Sequence, residues 1–342
     1  MRAEVRPITL RLREPLRTAG GAVTTRTLLI LRLEDHEGRV GWGEAAPLEH
    51  YDGVSLQRCR AALDAHAAVL SGGALTGGAA LLDACRAADP LPQALAAVDL
   101  ALWSLAGVRE GRPIAALLAD DALAAVPVNA TIGAEDREGA ASGAARAIAD
   151  GFRCLKVKVG TGDDAGRVAA VRAAAGPQAA LRLDANGAWD VETAVRTIEA
   201  LAPAGLELVE EPVHGLRALR EVRERTAVRI AMDETGAEAG ALASGAADAV
   251  CLKISRAGGI SALLAQAALV RTTGADVYLA STLDGPLGIA AALHCAAALK
   301  VDAPCGLATL GLFEDLDPGP LAALDGMIPV PQIPGLGVKP AE

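Results

Sequence analysis

The chain has 342 residues, of which 52% are hydrophobic and 22% are charged, so it can bury a large core and is not a disordered sequence. Its net charge is −10 and no basic stripe is visible, which excludes a nucleic-acid surface. No apolar run reaches the roughly 18–20 residues of a membrane span, and the first residues lack the apolar region of a secretory signal. The six cysteines are scattered without a CxxC pair, which is typical of reduced thiols in a cytoplasmic protein.

The first third of the chain predicts an antiparallel sheet followed by helices. An apolar stretch at 27–33, turn-forming residues at 34–38 and a second extended stretch at 40–44 predict a β-hairpin with a longer loop. From about residue 56 to residue 118, Ala, Leu and Arg dominate and helix breakers are few, which predicts helices.

From residue 126 onward, short apolar strands alternate with Ala-rich helical segments, which is typical of an α/β fold with a parallel sheet. The predicted strands are 126–132, 154–159, 180–184, 206–210, 228–232, 249–254 and 276–280. The predicted helices are 139–149, 164–174, 191–201, 215–225 and 259–272. Seven strands, with an eighth candidate at 305–309, are enough to close a barrel. An open doubly wound sheet is the alternative, but no GxGxxG motif follows a first strand.

Charged residues end five consecutive predicted strands of this unit. In strand order they are Lys156 with Lys158, Asp184, Glu210, Asp233 and Lys253, spaced 20 to 26 residues apart. Each interval fits one strand, one helix and two loops, so these side chains lie at the C-terminal end of the barrel, where active sites of such barrels are found. A single charge at a strand end is usually a solvated loop residue, whereas repetition over five strands indicates a site.

The three acidic residues of this set predict a metal site. Carboxylates that share one barrel mouth repel each other unless a cation lies between them. Asp184, Glu210 and Asp233 offer hard oxygen ligands, and no His or Cys accompanies them in the strand-end pattern. This favours Mg²⁺, with Mn²⁺ as the alternative cation, over zinc.

The lysines predict the chemistry. A small-molecule substrate that binds the cation through a carboxylate would have an acidic α-carbon, because the cation and the lysines stabilise the resulting enediolate. An amine beside other cations has a lowered pKa, so we predict Lys158, next to Lys156, as the base. Lys253 would face it from the opposite side of the substrate.

At these residues the sequence resembles the enolase superfamily and, within it, the muconate-lactonizing subgroup. The residues at 156–158, 184–187, 210–212 and 233–234 resemble the KxK, DxN, E-E/Q-P and D-E motifs of that subgroup, and Lys253 matches the lysine of its sixth strand. The resemblance implies that Asp184, Glu210 and Asp233 hold Mg²⁺ and that Lys158 and Lys253 flank the α-carbon. It gives Asn186 and Glu234 supporting positions around the metal.

The resemblance also implies the domain organisation. It places an α+β capping domain at residues 1–122 over a modified TIM barrel of seven to eight βα units at residues 123–311. A C-terminal segment, residues 312–342, would return to the capping domain and complete it.

Further segments are similar to those of o-succinylbenzoate synthases, namely 41–48 with 51–53, 128–131, 281–284 and 305–309. This resemblance implies a syn dehydration in menaquinone biosynthesis, a lyase reaction in which Lys158 removes the α-proton and returns it to the departing hydroxyl. Candidates for substrate contact are residues of a predicted lid and of the seventh strand, namely Gly20, His50, Tyr51, Ser281, Thr282 and Asp284. For His50 and Tyr51, an ordinary surface loop has equal weight.

Racemases and epimerases on the same scaffold are the alternative, since there both lysines act as acid and base on opposite faces of the α-carbon. Dipeptide epimerases carry a DxD near the eighth strand that holds the substrate ammonium. Asp315 and Asp317 lie in that region, although a turn before Pro318 explains them better. N-succinylamino-acid racemase activity is a further option. A non-catalytic barrel that binds a carboxylate is disfavoured, because binding alone requires no pair of lysines. A homo-oligomer remains open.

Two other polar residues are predicted to be structural. Arg182 shares the strand face of Asp184, so we expect it to pair with a carboxylate in the barrel centre. His294 lies in an Ala-rich helical run and is predicted to be a packed core histidine.

Overall fold

A computed structural model describes residues 1–18, 21–72, 77–133, 135–314 and 316–341. Its strands are β1 (Arg2–Thr18), β2 (Gly21–Glu34), β3 (Val40–Ala45), β4 (Ala125–Pro127), β5 (Ala130–Ile132), β6 (Cys154–Lys158), β7 (Ala180–Asp184), β8 (Leu206–Glu210), β9 (Arg229–Met232), β10 (Ala249–Leu252), β11 (Asp276–Leu279) and β12 (Met327–Pro329). Its α-helices are α1 (Glu49–Asp52), α2 (Leu56–Ser71), α3 (Gly78–Ala88), α4 (Pro92–Glu110), α5 (Ile114–Leu118), α6 (Arg137–Ala149), α7 (Asp164–Ala175), α8 (Val191–Leu201), α9 (Leu216–Arg225), α10 (Ile254–Ala257), α11 (Ile260–Arg271) and α12 (Pro286–Ala298).

The N-terminal unit is a three-stranded antiparallel sheet, in the order β1-β2-β3, with α2 and α4 packed on it and α3 packed against these two helices. The central strand β2 buries both of its faces. Leu28 and Ile30 belong to the core shared with the barrel, whereas Leu29 and Leu31 pack in a second core with the helices. Alternation along the strand therefore makes β2 the wall between the two units. The predicted hairpin of β2 and β3 is confirmed.

Two glycines let α4 lie directly on β3. A Cβ atom on Gly43 would stand 1.8 Å from the Ala97 carbonyl oxygen, and one on Gly41 would stand 2.2 Å from the Ala101 carbonyl oxygen. No side chain larger than hydrogen fits at either position, so this close packing requires glycine.

Seven parallel strands form the barrel in the order β11-β10-β9-β8-β7-β6-β5, as the strand–helix alternation predicted. The eighth position is filled by two residues only. Cys305 N donates to Pro127 O (2.8 Å) and Gly306 N donates to Leu279 O (2.8 Å), which joins β11 to the segment 127–129 that leads into β5. The predicted strand at 305–309 therefore shrinks to residues 305–306.

The predicted strand at 126–132 is wrong in its extent, because its backbone changes partners midway. Val128 N donates to Gly326 O (2.8 Å) of the C-terminal segment, whereas Asn129 N donates to Cys305 O (3.0 Å). Only β5 joins the barrel sheet, and β4 pairs with β12 in an antiparallel ladder.

The C-terminal segment contacts both units. Besides the β12–β4 ladder, Phe313 forms an antiparallel bridge with Leu12 of β1, and Ile114 N donates to Gly335 O (3.1 Å). All six cysteines are buried and free. Among the described residues, the helices lack the combination of length and apolarity that crossing a membrane requires.

Candidate active site

The two catalytic lysine candidates stand on opposite sides of the barrel mouth. Between β6 and β10 lie three strands on one side, β7 to β9, and on the other side β5, the 305–306 segment and β11. Lys158 ends β6 and Lys253 directly follows β10, so their strands are diametrically opposed. Both side chains line one cavity of about 320 Å³.

The arc between these lysines carries the three carboxylates. Asp184 and Glu210 end the paired strands β7 and β8 in register, and Asp233 directly follows β9. Their exposed fractions are only 1%, 0% and 2%. The sequence pattern at the strand ends is thus converted into one buried acidic arc, because parallel strands in register bring their ends together.

Lys156 and Lys158 neutralise the first half of this arc. Lys156 Nζ donates to Glu210 Oε1 (2.8 Å) and lies 2.8 Å from Asp184 Oδ2. Lys158 Nζ donates to Asp184 Oδ2 (2.6 Å) and to Asn186 Oδ1 (2.9 Å). Burial lowers the pKa of Lys156, but Asp184 and Glu210 more than offset it, so the pKa lies above its ordinary value.

Lys253 meets a residue of the capping unit. Its ammonium contacts the Asp233 carboxylate and donates to the Tyr51 hydroxyl (2.5 Å), and it lies 4.4 Å from the centroid of the Tyr51 ring. The Tyr51 hydroxyl donates to Asp233 Oδ1 (2.8 Å). Tyr51, on the short helix α1, therefore lies over the barrel mouth and contacts the acidic arc at Asp233.

Arg256 was missed by sequence reasoning. Its Nη1 donates to the Tyr51 hydroxyl (2.7 Å), and its Nη2 donates to Glu234 O (3.0 Å). It follows Lys253 by three residues on α10, so helical spacing from the lysine is the signal that could have found it.

Asn186 and Glu234, to which the resemblance gives supporting positions around a metal, lie beside the acidic arc. Asn186 has a φ of +46°, its Nδ2 donates to Glu234 Oε1 (2.9 Å), and its backbone N donates to Asp184 Oδ1 (3.0 Å). Glu234 Oε2 is buried and has no hydrogen-bond partner among the described residues. Burial, with the charge of Asp233, raises the pKa of Glu234 to about 8.

Glu211 is a second residue whose role the sequence did not reveal. It is fully buried with a φ of +39°, and it accepts hydrogen bonds from Asp233 N (2.8 Å), Thr235 N (2.8 Å) and Thr235 Oγ1 (2.5 Å). Its carboxylate thus fixes the loop that carries Asp233. The doubled acid before Pro212 was the available signal.

The cavity wall opposite the acidic arc is neutral. Thr131, Ser281, Gly306 and Thr309 line it, and the Ser281 and Thr309 hydroxyls share a hydrogen bond (2.9 Å). The capping unit covers it with apolar and lid side chains, namely Leu16, Val23, Leu48, His50 and Tyr51. The cavity is therefore charged on one side and uncharged on the other.

The structure brings some of the predicted substrate-contact residues to the cavity and places others elsewhere. His50, Tyr51, Ser281 and Thr282 line the cavity. Asp284 does not line it, because its carboxylate turns back to accept from Thr282 N (3.2 Å) and Thr282 Oγ1 (2.8 Å) behind the wall.

Asp317 lies in a different groove, beside Trp42 and the C-terminal segment, where its carboxylate accepts from Gly319 N (3.0 Å) in the turn after Pro318. It is not brought to the cavity, because the turn that the sequence suggested uses its side chain. Gly20 and Asp315 lie outside the described residues.

The residues fit a hard divalent cation. Glu210 and Asp233 place carboxylate oxygens within 4.8 Å of each other and of the Cys251 thiol, and Lys156 joins Glu210 to Asp184. The thiol corrects the expectation that no Cys accompanies the acids. Burial raises the pKa of Cys251 well above its ordinary value, and a neutral thiol is a weak ligand. The donors that remain are carboxylate oxygens, which Mg²⁺ prefers.

Comparison with known proteins agrees with this geometry. Residues 139–342 match the family described as enolase C-terminal domain-like, and residues 2–119 match the N-terminal domain of mandelate racemase / muconate lactonizing enzyme. The chain belongs to the enolase superfamily. The resemblance drawn from the strand-end residues and the predicted capped barrel are confirmed.

Relatives of similar sequence include both o-succinylbenzoate synthases and dipeptide epimerases. The chain is 34% identical to the o-succinylbenzoate synthase of Thermobifida fusca (strain YX) over 93% of this chain and 86% of that protein. It is 33% identical to the L-Ala-D/L-Glu epimerase of Bacillus subtilis (strain 168) over 99% of this chain and 96% of that protein. A crystal structure of a dipeptide epimerase from Enterococcus faecalis V583, complexed with Mg and L-Leu-L-Tyr, matches with a TM-score of 0.91 and 29% identity over 98% of both chains.

Proposed function

We propose that this enolase-superfamily member is an o-succinylbenzoate synthase, which dehydrates a cyclohexadiene carboxylate after abstraction of its α-proton. The eighth barrel position carries the proposal. Residues 305–306 fill it, Gly306 and Thr309 face the cavity from this side, and Asp317 lies in a separate groove. Within the described ranges, this part of the wall offers no carboxylate to the ammonium group of a dipeptide, which supports the synthase over a dipeptide epimerase.

The lysine positions support a one-sided elimination. Lys158 reaches the substrate from β6 and takes the α-proton, and the same ammonium then protonates the departing hydroxyl on the same face. The C–H and C–O bonds break, a C=C bond forms and water leaves. Lys253, on the opposite side, stabilises the negative charge that develops on the substrate carboxylate.

The acidic arc supports the metal assignment. Mg²⁺ held by Asp184, Glu210 and Asp233 would supply positive charge beside the substrate carboxylate. Lys156 links two of these carboxylates and holds them in position. The neutral wall leaves room for the ring and its side chain, with the hydroxyls of Thr131, Ser281 and Thr309 as hydrogen-bonding groups.

One experiment separates the candidate reactions. The protein with Mg²⁺ is incubated in D₂O with the cyclohexadiene carboxylate precursor, with L-Ala-L-Glu and with an N-succinylamino acid. Aromatic product from the first alone supports the synthase. Deuterium that enters either of the others with inversion of the α-carbon supports the epimerase or racemase. Absence of product and of exchange in all three contradicts both enzymatic proposals and leaves a carboxylate-binding barrel.

The second candidate function, a racemase, rests on the position of Lys253. Its amine lines the same cavity from the face opposite Lys158, so it is placed to deliver a proton that Lys158 did not remove. The N-succinylamino-acid arm of the experiment tests this racemase reading, alone or beside the synthase.

The metal assignment has its own test. Mg²⁺ or Mn²⁺ should stabilise the folded protein by about 2.7 kcal/mol at a concentration one hundred times the Kd. A rise in the thermal midpoint measures this stabilisation. Asp184→Asn should remove that gain, whereas Asp317→Asn, in the separate groove, should keep it. An equal gain in both variants would contradict the assignment of Asp184.

A further inference from the structure

Three buried ionisable residues meet where the capping unit covers the barrel, behind the cavity wall. Arg26 lies on β2, Glu44 on β3, and Asp284 in the loop between β11 and α12. Their exposed fractions are 3%, 2% and 1%. The proposed chemistry uses none of them. Burying ionisable groups costs free energy, so their position calls for a structural or functional reason.

Arg26 joins two walls of the cavity. Its Nη1 donates to Pro47 O (2.7 Å), its Nη2 to Ala46 O (3.1 Å) and its Nε to Leu283 O (3.4 Å). The first two carbonyls begin the segment 46–51, which we call the lid segment and which carries the cavity residues Leu48, His50 and Tyr51. Leu283 itself lines the cavity on the barrel side.

Glu44 extends the same connection to helix α12. Its Oε1 accepts from Gly285 N (2.7 Å), at the N-terminal end of this 13-residue helix. A Cβ atom on Gly285 would stand 2.6 Å from Glu44 Oε2, and one on Gly288 would stand 2.8 Å from Glu44 Oε1. Glycine at both positions therefore makes room for a carboxyl group from the other unit.

The loop that these contacts hold has a strained backbone. Leu283 has a φ of +59°, a left-handed conformation that side chains larger than hydrogen rarely adopt. Its N donates to Ser281 Oγ (3.3 Å) and its carbonyl accepts from Arg26. Such a conformation persists only where the surroundings hold it, and it is found at functional sites.

We propose that Arg26 is a positioning residue of the active site, whose guanidinium holds the lid segment 46–51 against the loop 281–285 and thereby sets the width of the cavity. It acts through Leu48, Tyr51 and Leu283, which line the cavity, and it touches no reacting atom. Planar Arg suits this role because three separate nitrogens, Nε, Nη1 and Nη2, reach carbonyls on two different segments, whereas Lys must donate from a single nitrogen.

The charges around Arg26 agree with this role. Burial lowers the pKa of Arg26, whereas Asp284, Asp52 and Glu44 oppose that effect. Burial, with the charge of Asp284, raises the pKa of Glu44 to about 8, and burial also raises the pKa of Asp284. Asp284, Asp52 and Glu44 are thus the acidic groups that lie near the guanidinium.

Hydrogen exchange of backbone amides tests the proposal without a substrate. Arg26→Gln should speed exchange of both the lid segment and residues 281–285 by about tenfold, because the charged donors to three carbonyls are lost. The exchange rates of both segments in Arg26→Lys should lie between those of Arg26→Gln and those of the wild type. Arg32→Gln is the matched control, since Arg32 lies on the same strand but pairs with Glu34 (2.6 Å) away from the cavity. Unchanged exchange in Arg26→Gln, or faster exchange in one segment only, would overturn the proposal. If Arg26→Gln does not fold, Arg26→Lys is judged by the same criterion.

A kinetic arm, which rests on the proposed function, uses whichever acid the wild type converts. Arg26→Gln should raise KM about tenfold while kcat stays within about threefold, because the cavity loosens while Lys158 and Lys253 keep their ion pairs with Asp184 and Asp233. A fall in kcat at unchanged KM would overturn this positioning role. If the wild type converts no tested acid, the proposed function fails while the exchange experiment still decides the role of Arg26.

Discussion

Alternation along two neighbouring strands decides which side chains meet inside the barrel. Lys156 and Lys158 share the inner face of β6, and Arg182 and Asp184 share the inner face of β7. Each buried charge in this group finds an opposite charge, since Lys156 and Lys158 contact Asp184 and Arg182 contacts Glu207. At the scale of residues, the buried charges of the barrel interior are therefore paired at both ends of these strands. We call the end with Lys158 and Asp184 the reactive end, and the end with Arg182 and Glu207 the structural end.

The reactive end gives the first prediction. Lys158→Ala should lower turnover of the accepted substrate by about 10²–10⁴-fold, because the group that moves the α-proton is removed. Binding of Mn²⁺, measured by electron paramagnetic resonance, should change little, since the three carboxylates remain. Lys300→Ala, on the exposed surface, is the control. Turnover equal to that of the wild type in Lys158→Ala would show that the base is a different residue.

The structural end gives the second prediction. Arg182 is 1% exposed, and it donates to Glu207 (2.8 and 2.9 Å) and to Pro304 O (2.6 Å), next to the segment that closes the barrel. Arg182→Met should lower the free energy of unfolding by about 3 kcal/mol, because Glu207 is left half-buried without its partner. Urea denaturation measures the loss. Arg225→Met, which breaks an exposed pair with Glu192, should change the midpoint little.

Close contacts between elements explain several sequence features that have no chemical role. The Gly-Trp-Gly segment of β3 is required because α4 lies on that strand with its carbonyl oxygens against both glycines. Helix α12 begins against Glu44 of the same strand. At the scale of elements, β3 is therefore the strand through which the capping unit contacts both a helix of its own and a helix of the barrel.

Two glycine substitutions should have opposite effects at this scale. Gly43→Ala should destabilise the protein by about 3 kcal/mol or more, because its methyl group would overlap the Ala97 carbonyl. Gly78→Ala, at the start of α3 with no atom within 4 Å of the new methyl, should stabilise it by about 0.4–1 kcal/mol. Thermal unfolding of both variants measures the difference. Equal midpoints would contradict the close packing of α4 on β3.

Across the whole molecule, one buried histidine connects three parts of the chain. His294 on α12 accepts from Ala115 N (3.1 Å) of α5 through Nδ1 and donates to Leu336 O (3.2 Å) of the C-terminal segment through Nε2. Both bonds use the neutral ring, and burial lowers the pKa of His294 from 6.5 to about 4. The prediction of a packed core histidine is confirmed.

His294 should make stability depend on pH. Between pH 6.5 and about 4 the unfolded chain binds a proton that the folded protein does not, so stability falls as the pH falls through this window. The loss attributable to this group is about 3 kcal/mol. His294→Gln should flatten the curve relative to the wild type in urea titrations at several pH values, whereas His36→Gln, on the surface, should not. Parallel curves for wild type and His294→Gln would refute this assignment.

The repeating features of this protein were readable in its sequence. Strand–helix alternation from residue 126 predicted the parallel barrel, because periods of two and of 3.6 residues are local properties of the chain. The acidic and basic residues at the strand ends predicted one cluster, since parallel strands in register must bring equivalent ends together. The placement of Lys158, Asp184 and Glu210 in this cluster follows from that rule alone.

Only the tertiary structure decided what lies around that cluster. Tyr51 reaches Asp233 and Arg26 reaches Leu283 across 182 and 257 residues of sequence, and no local period encodes such a contact. The same holds for Cys251 beside the carboxylates and for Asp317, which turns into a separate groove. These positions depend on how the capping unit and the C-terminal segment pack on the barrel, because packing brings together side chains that are distant along the chain.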